Sequence, residues 1–173
     1  MLVNGILIRY NQYEFSANLR LKIFTMSFDI KALYQEVILD HNRNPRNFHK
    51  IDPCSHHAEG HNPLCGDQIE LYLNIEEGII TDIAFQGEGC AISTASSSMM
   101  TEAIKGKSIA EAEALFQRFH DAVTLEEMEA EGLGSLQILM GVREYPARVK
   151  CATLPWHALY SAIHAKDEIA QTE

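Results

Sequence analysis

Residues 68–85 carry two runs that read as one antiparallel hairpin. Ile69, Leu71, Leu73 and Ile75 alternate with Glu70, Tyr72 and Asn74, the period of a strand with one buried face. Glu76-Glu77-Gly78 forms a short loop and residues 79–85 the returning strand. An antiparallel hairpin brings the chain back to the end of the sheet where it began. Cys65 stands just before the first strand and Cys90 just after the second, so the hairpin places both thiols at the same end. Gly66, between Cys65 and Asp67, frees the backbone to aim that thiol and that carboxylate at a common point. Asn62-Pro63 ahead of them is a turn signal.

The remaining elements flank this hairpin. Ile30, Leu33, Tyr34, Val37, Ile38 and His41 repeat at helical spacing behind Asp29, a plausible N-cap, until Asn44-Pro45 stops them. A loop runs to Cys54, and a short strand is expected over residues 56–60. After Gly87-Glu88-Gly89-Cys90, a helical face is formed by Ile92, Ala95, Ser96, Met99 and Ala103, with Gly106 past its end. The small side chains of Ser96-Ser97-Ser98 suit close packing. Ser108 with Glu111, and Thr124 with Glu127, have capping-box spacing, which predicts two short, acidic, solvated helices. Gly132 and Gly134 bracket a break, and Leu136, Leu139 and Met140 suggest a further short helix that Tyr145-Pro146 ends. Leu154, His157, Ala158, Ser161 and Ile163 define a last helix over residues 153–165, with Cys151 just before its start.

A chain of 173 residues fits one domain with an ordinary core. The net charge of −10, with 14 Lys plus Arg scattered along the chain, speaks against nucleic acid as a partner. No run approaches the roughly 18 apolar residues of a membrane helix. Four cysteines without a secretory signal point to reduced thiols in the cytoplasm, where metal or redox chemistry is favoured over disulfides. Residues 1–25 hold Arg9, Arg20 and Lys22 against Glu14 alone and show no sustained period. This N-terminal extension fits either an organelle transit peptide or a start codon placed too early, with the true start at Met26. The presence of Glu14 favours the second, and the extension is expected to pack poorly.

Cys65, Asp67, Cys90 and Cys151 form the constellation of interest. Cys90 and Cys151 fall at predicted helix N-termini, where the dipole and free N–H groups stabilise a thiolate. Thiolate binds metal and attacks sulfur. Three thiolates and a carboxylate suit tetrahedral zinc, and the same soft sulfur set suits iron in a cluster. The harder ligand, Asp67, hints at a site built to open. The competing reading is that each cysteine is a small buried hydrophobe. A rival site from Cys54, His56, His57, His61 and Cys65 is also conceivable, although His56 and His57 point to opposite faces of a strand. His41 and His49 read as solvated or capping residues, and Trp156 as core. Glu126, Glu127, Glu129 and Glu131 read as a solvated face.

Three segments resemble the SufU/IscU family of iron-sulfur cluster assembly proteins, with NifU-like N-terminal domains. They are Asn62-Pro63-Leu64-Cys65-Gly66-Asp67, Gly87-Glu88-Gly89-Cys90-Ala91-Ile92-Ser93 with the Ala95–Met100 run, and Arg148-Val149-Lys150-Cys151-Ala152-Thr153-Leu154. The resemblance implies an α+β fold, a three-stranded antiparallel sheet with helices on one face and the metal site at one end. It implies Cys65, Asp67, Cys90 and Cys151 as ligands, and a domain over residues 26–166 followed by a tail at 167–173. Within the family, the cluster-scaffold branch has a histidine before the third cysteine and a Leu-Pro-Pro-Val-Lys chaperone motif. Here Lys150 and Tyr145-Pro146-Ala147-Arg148 take those places. Residues 132–142 resemble the insertion of the SufU branch. That branch implies zinc and a sulfurtransferase that accepts persulfide sulfur from a pyridoxal-phosphate cysteine desulfurase of the SufS kind. Cys65, on a glycine-flanked loop, is the expected acceptor, since helices hold Cys90 and Cys151. The alternative is a scaffold for a [2Fe-2S] cluster. Pro155, where a small residue such as alanine is expected, departs from the family pattern near the start of the last helix.

Overall fold

A computed structural model describes residues 34–125, 130–164 and 170–172. The architecture below belongs to the unit Glu36–Glu173. The expected extension over residues 1–25 and the first turn of the helix at Asp29 lie outside the described residues, as do Glu126, Glu127 and Glu129.

The first helix, α1, covers residues 34–43 and ends before Pro45. Its His41 is buried, with Nδ1 2.8 Å from Ser98 Oγ, so it is neither solvated nor a cap. The helical period had already placed His41 on the apolar face, and a buried hydroxyl supplies its polar partner.

Three antiparallel strands follow: β1 (His56–Asn62), β2 (Asp67–Glu76) and β3 (Ile79–Glu88). The sheet order is β3-β2-β1-β4, where β4 (Ala170–Gln171) adds two residues parallel to β1 at Gly60 and His61. That addition carries no sequence period and was not foreseen. Ile69, Leu71 and Leu73 are buried as the alternation requires. Tyr72, expected on the open face, is buried as well: its ring lies 5.1 Å from that of His57, and its hydroxyl donates to Glu70 Oε2.

The register brings the ends of the strands together. Asn62 pairs with Asp67 where β1 meets β2, and Gln68 pairs with Glu88 where β2 meets β3. Gly87, at φ +139°, lets β3 pass against Gln68, whose carbonyl a Cβ would strike. The turn that closes β1–β2 and the open end of β2–β3 therefore lie at the same end of the sheet.

Helices α2 (Ala91–Ile104) and α4 (Pro146–Ile163) pack on this sheet, α2 on β3 and α4 on β1 and β2. They approach each other closely through small residues, with Ser96 Oγ donating to Ala152 O at 2.6 Å. Helix α3 (Ile109–Thr124) starts at the Ser108–Glu111 capping box, as predicted, but continues through Thr124. Thr124 is its last residue and donates its hydroxyl back to His120 O, so it does not open a second helix within the described residues. A 3-10 helix, Gly134–Glu144, buries Leu136, Leu139 and Val142, whose spacing of three matches its period. Trp156 is fully buried, its ring 4.6 Å from that of Phe119.

The 3-10 helix ends before Tyr145-Pro146, as expected, but Pro146 does more than stop it. It opens α4, because a missing N–H costs nothing in the first turn, where no intrahelical partner exists. Cys151 consequently lies inside α4 and not at its N-terminus, and Pro155 lies further inside the same helix.

Candidate metal centre

The end of the sheet where Asn62, Asp67 and Glu88 meet is also where α2 begins. Cys90 is the N-cap of α2, and its Sγ accepts from Ser93 N at 3.5 Å. Cys65 sits on the turn from β1 to β2, closed by Gly66 N donating to Asn62 O at 2.9 Å with Gly66 at φ +73°. Asp67, the first residue of β2, is fully buried. Cys151 arrives from α4, also fully buried, and its thiol lies 3.2 Å from Cys65 Sγ.

The ligating atoms of Cys65, Asp67 and Cys151 all lie within 4.8 Å of one another, the one such group of His, Cys, Asp or Glu side chains among the described residues. Cys90 Sγ is 3.9 Å from Asp67 Oδ2, which places a fourth donor at its edge. Three sulfurs and one oxygen converging at this spacing fit a single zinc ion with bonds of about 2.0–2.3 Å. Soft thiolate donors equally suit iron in a cluster. The rival arrangement of Cys54 with His56, His57 and His61 is not assembled among the described residues.

The polar contacts divide the donors into a fixed part and a loose part. Asp67 Oδ1 accepts from Cys90 N at 2.7 Å, and Oδ2 accepts from Asn62 Nδ2 at 3.3 Å. The same Asn62 amide reaches Cys151 Sγ at 3.3 Å, and Asn62 Oδ1 accepts from Leu64 N at 3.2 Å. Cys65 is half-buried on a turn whose neighbours Pro63, Leu64 and Gly66 are exposed. Its sulfur faces Arg148 Nη1 at 3.5 Å.

The thiols do not titrate alike. Cys90 is lowered to about 6, because the Cys151 thiol donates to its thiolate and the Ser93 N–H at the helix start adds a second donor. Cys151 is pushed up, first by that same Cys90 thiolate and then by burial. A stabilised thiolate is thus found at Cys90, chiefly through Cys151 with the helix start adding to it, and not at Cys151, whose place inside α4 removes it from the free N–H groups. Metal binding at this site must expel the Cys151 proton. The thiols of Cys151, Cys90 and Cys65 in turn hold the Arg148 guanidinium firmly charged.

Two residues of the site were not singled out by sequence reasoning. Asn62 was read only as half of a turn signal, and Arg148 only as part of a motif. Their roles come from contacts across 89 and 83 positions of chain.

Residues 33–152 match the NifU-like N-terminal domain family. The chain is similar to the zinc-dependent sulfurtransferase SufU of Bacillus subtilis, with 44% identity covering 83% of this chain and 98% of that protein. It is also similar to the iron-sulfur cluster assembly scaffold protein IscU of Streptococcus pyogenes, with 46% identity covering 78% and 84%. Among solved structures, an iron-sulfur cluster assembly scaffold protein for the SUF system from Fervidobacterium islandicum superposes with a TM-score of 0.71. It shares 36% identity, covering 74% of this chain and 94% of that one.

Proposed function

Because the chain belongs to the NifU-like N-terminal domain family, we propose that it serves iron-sulfur cluster assembly as a zinc-dependent sulfurtransferase. The sulfur donor is a pyridoxal-phosphate cysteine desulfurase of the SufS kind. Cys65, Asp67, Cys90 and Cys151 hold the zinc, and Cys65 receives the sulfur.

The observation that carries this reading is the unequal tethering of the donors. Asp67 and Cys151 are buried and hydrogen-bonded, while Cys65 rides on an exposed turn. Bound zinc would keep the thiols deprotonated while damping their nucleophilicity. From its exposed turn, the Cys65 thiolate attacks the outer sulfur of the partner's cysteine persulfide. The S–S bond of the partner breaks, its cysteine departs as thiolate, and Cys65 carries the new persulfide. Arg148, beside Cys65, stabilises the negative sulfur before and after transfer.

Native mass spectrometry with metal analysis, on protein purified without added iron, is the first test. One zinc per chain and no colour is the expected result. Cys65→Ala should then abolish sulfur uptake from the desulfurase; undiminished uptake refutes the assignment of the acceptor.

A second reading, a scaffold on which an iron-sulfur cluster is built and released, rests on the IscU relatives and on a donor set equally suited to iron. Iron with acid-labile sulfide in the purified protein would make it the leading one. Among the described residues no helix is long and apolar enough to cross a membrane.

A further inference from the structure

We propose that Asn62 is the positioning residue of this centre, fixing Asp67 and Cys151 together so that Cys65 is the donor left free to move. The inference rests on the zinc reading above.

Asn62 is the last residue of β1 and is fully buried. A buried primary amide must find partners for two N–H donors and one carbonyl, or lose the solvation it had in water. Here the carbonyl oxygen accepts from Leu64 N at 3.2 Å, and the nitrogen lies 3.3 Å from both Asp67 Oδ2 and Cys151 Sγ. One side chain thereby joins three segments: the turn that carries Cys65, the start of β2, and the middle of α4. Strand register holds it in place, since Asn62 sits directly opposite Asp67 in the β1–β2 ladder.

The two donors have different consequences. The bond to Asp67 Oδ2 works with Cys90 N on Oδ1 to fix the plane of the carboxylate. The bond to Cys151 Sγ orients a sulfur that has no helix N-terminus to stabilise it, and an N–H donor to a thiolate draws off charge and lowers its tendency to leave or attack. The Asn62 amide donates to neither Cys65 nor Cys90 sulfur among the described contacts. Asn62 therefore holds two of the four donors directly; Cys90 is held separately as the N-cap of α2, and Cys65, on the exposed turn, is the one that can be given up.

The experiment compares zinc affinity of wild type, Asn62→Ala and Asn62→Asp by competition with a chromophoric chelator. It also records the absorption of each protein loaded with cobalt, and the thermal stability of each metal-free protein. Loss of an outer hydrogen-bond partner of a metal ligand weakens metal binding about 10–100-fold, and that loss is expected in both variants. The cobalt bands should change in position and intensity as the ligands lose their orientation. Asn62→Asp is isosteric and keeps an acceptor for Leu64 N, and the metal-free thermal stability reads the cost of setting a second carboxylate beside Asp67. Its added charge attracts a cation, so weaker zinc binding in this variant isolates the lost donors. Zinc affinity and cobalt spectrum unchanged in Asn62→Asp while Asn62→Ala is impaired would assign the effect to the Leu64 turn and overturn the proposal, as would wild-type behaviour in both. A wild-type protein that binds no zinc would overturn the zinc reading together with this inference. Zinc bound normally by wild type and variants alike overturns this inference alone.

Discussion

Asp67 Oδ1 accepts the backbone N–H of Cys90 at 2.7 Å, tying the first residue of β2 to the N-cap of α2. The contact spans 23 positions of chain and sets the distance between a carboxylate and a thiol that the hairpin alone would leave loose.

Asp67→Ala should therefore destabilise the protein even without metal. The Cys90 N–H and the Asn62 amide both lose an acceptor in a buried setting, which costs about 1–3 kcal/mol. Urea unfolding of metal-free wild type and variant measures it. No change in midpoint would mean that the carboxylate holds nothing in place before metal arrives.

Arg148→Ala should slow the reaction of Cys65 with iodoacetamide severalfold at neutral pH in the metal-free protein, because Arg148 Nη1, 3.5 Å from the sulfur, orients it on its turn and faces the negative charge it carries as it attacks. Arg148→Lys should recover part of the rate, since the charge remains but the planar fork does not. Residue-resolved mass spectrometry of the alkylated protein follows Cys65 separately from Cys90 and Cys151.

Ser96→Val probes the seam between α2 and α4. Ser96 is fully buried and bonded to Ala152 O, so a bulkier side chain both overpacks the seam and removes that donor. A loss of about 1–3 kcal/mol is expected from overpacking. Because the two helices carry Cys90 and Cys151, zinc affinity should fall in the same variant. Chelator competition beside thermal unfolding tests whether the two losses occur together.

Stability should fall between pH 7 and pH 5 through His41 and His157. Both lie below the ordinary 6.5, chiefly through burial, with Arg46 opposing a charge on His41 and His120 opposing one on His157. Glu102 and Asp40 act the other way on His41, but more weakly than burial. A depressed folded value means that, as pH drops through the ordinary one, the unfolded chain takes up protons the fold refuses. The contribution is thus complete above the ordinary value and lost as pH falls toward the folded values. Urea midpoints of the metal-free protein across this range should shift less in His157→Gln than in wild type.

Local pattern carried much of this protein. The alternation from Ile69 to Ile75, the Glu76-Glu77-Gly78 loop and the capping box at Ser108 are short-range signals, and the structure places their elements accordingly. The same hairpin argument put Cys65 and Cys90 at one end of the sheet, and Gly66 allowed Asp67 to join them. The last helix was misplaced because Tyr145-Pro146 is a stop signal and a start signal at once, and only the packing of α4 on β1 and β2 selects the start. That choice moved Cys151 from a helix end to a helix interior and changed its proton affinity. His41 read as polar until Ser98, 57 positions away, supplied a partner. Asn62 is the clearest case. Asparagine before proline is a turn signal by local chemistry, and nothing local says that its amide meets Asp67 and Cys151. The sequence by itself determined which donors exist and which end of the sheet they share, because both follow from short-range periodicity. Tertiary structure alone decided which donors are held and which is free, because hydrogen bonding in a buried site depends on what the rest of the chain brings beside it.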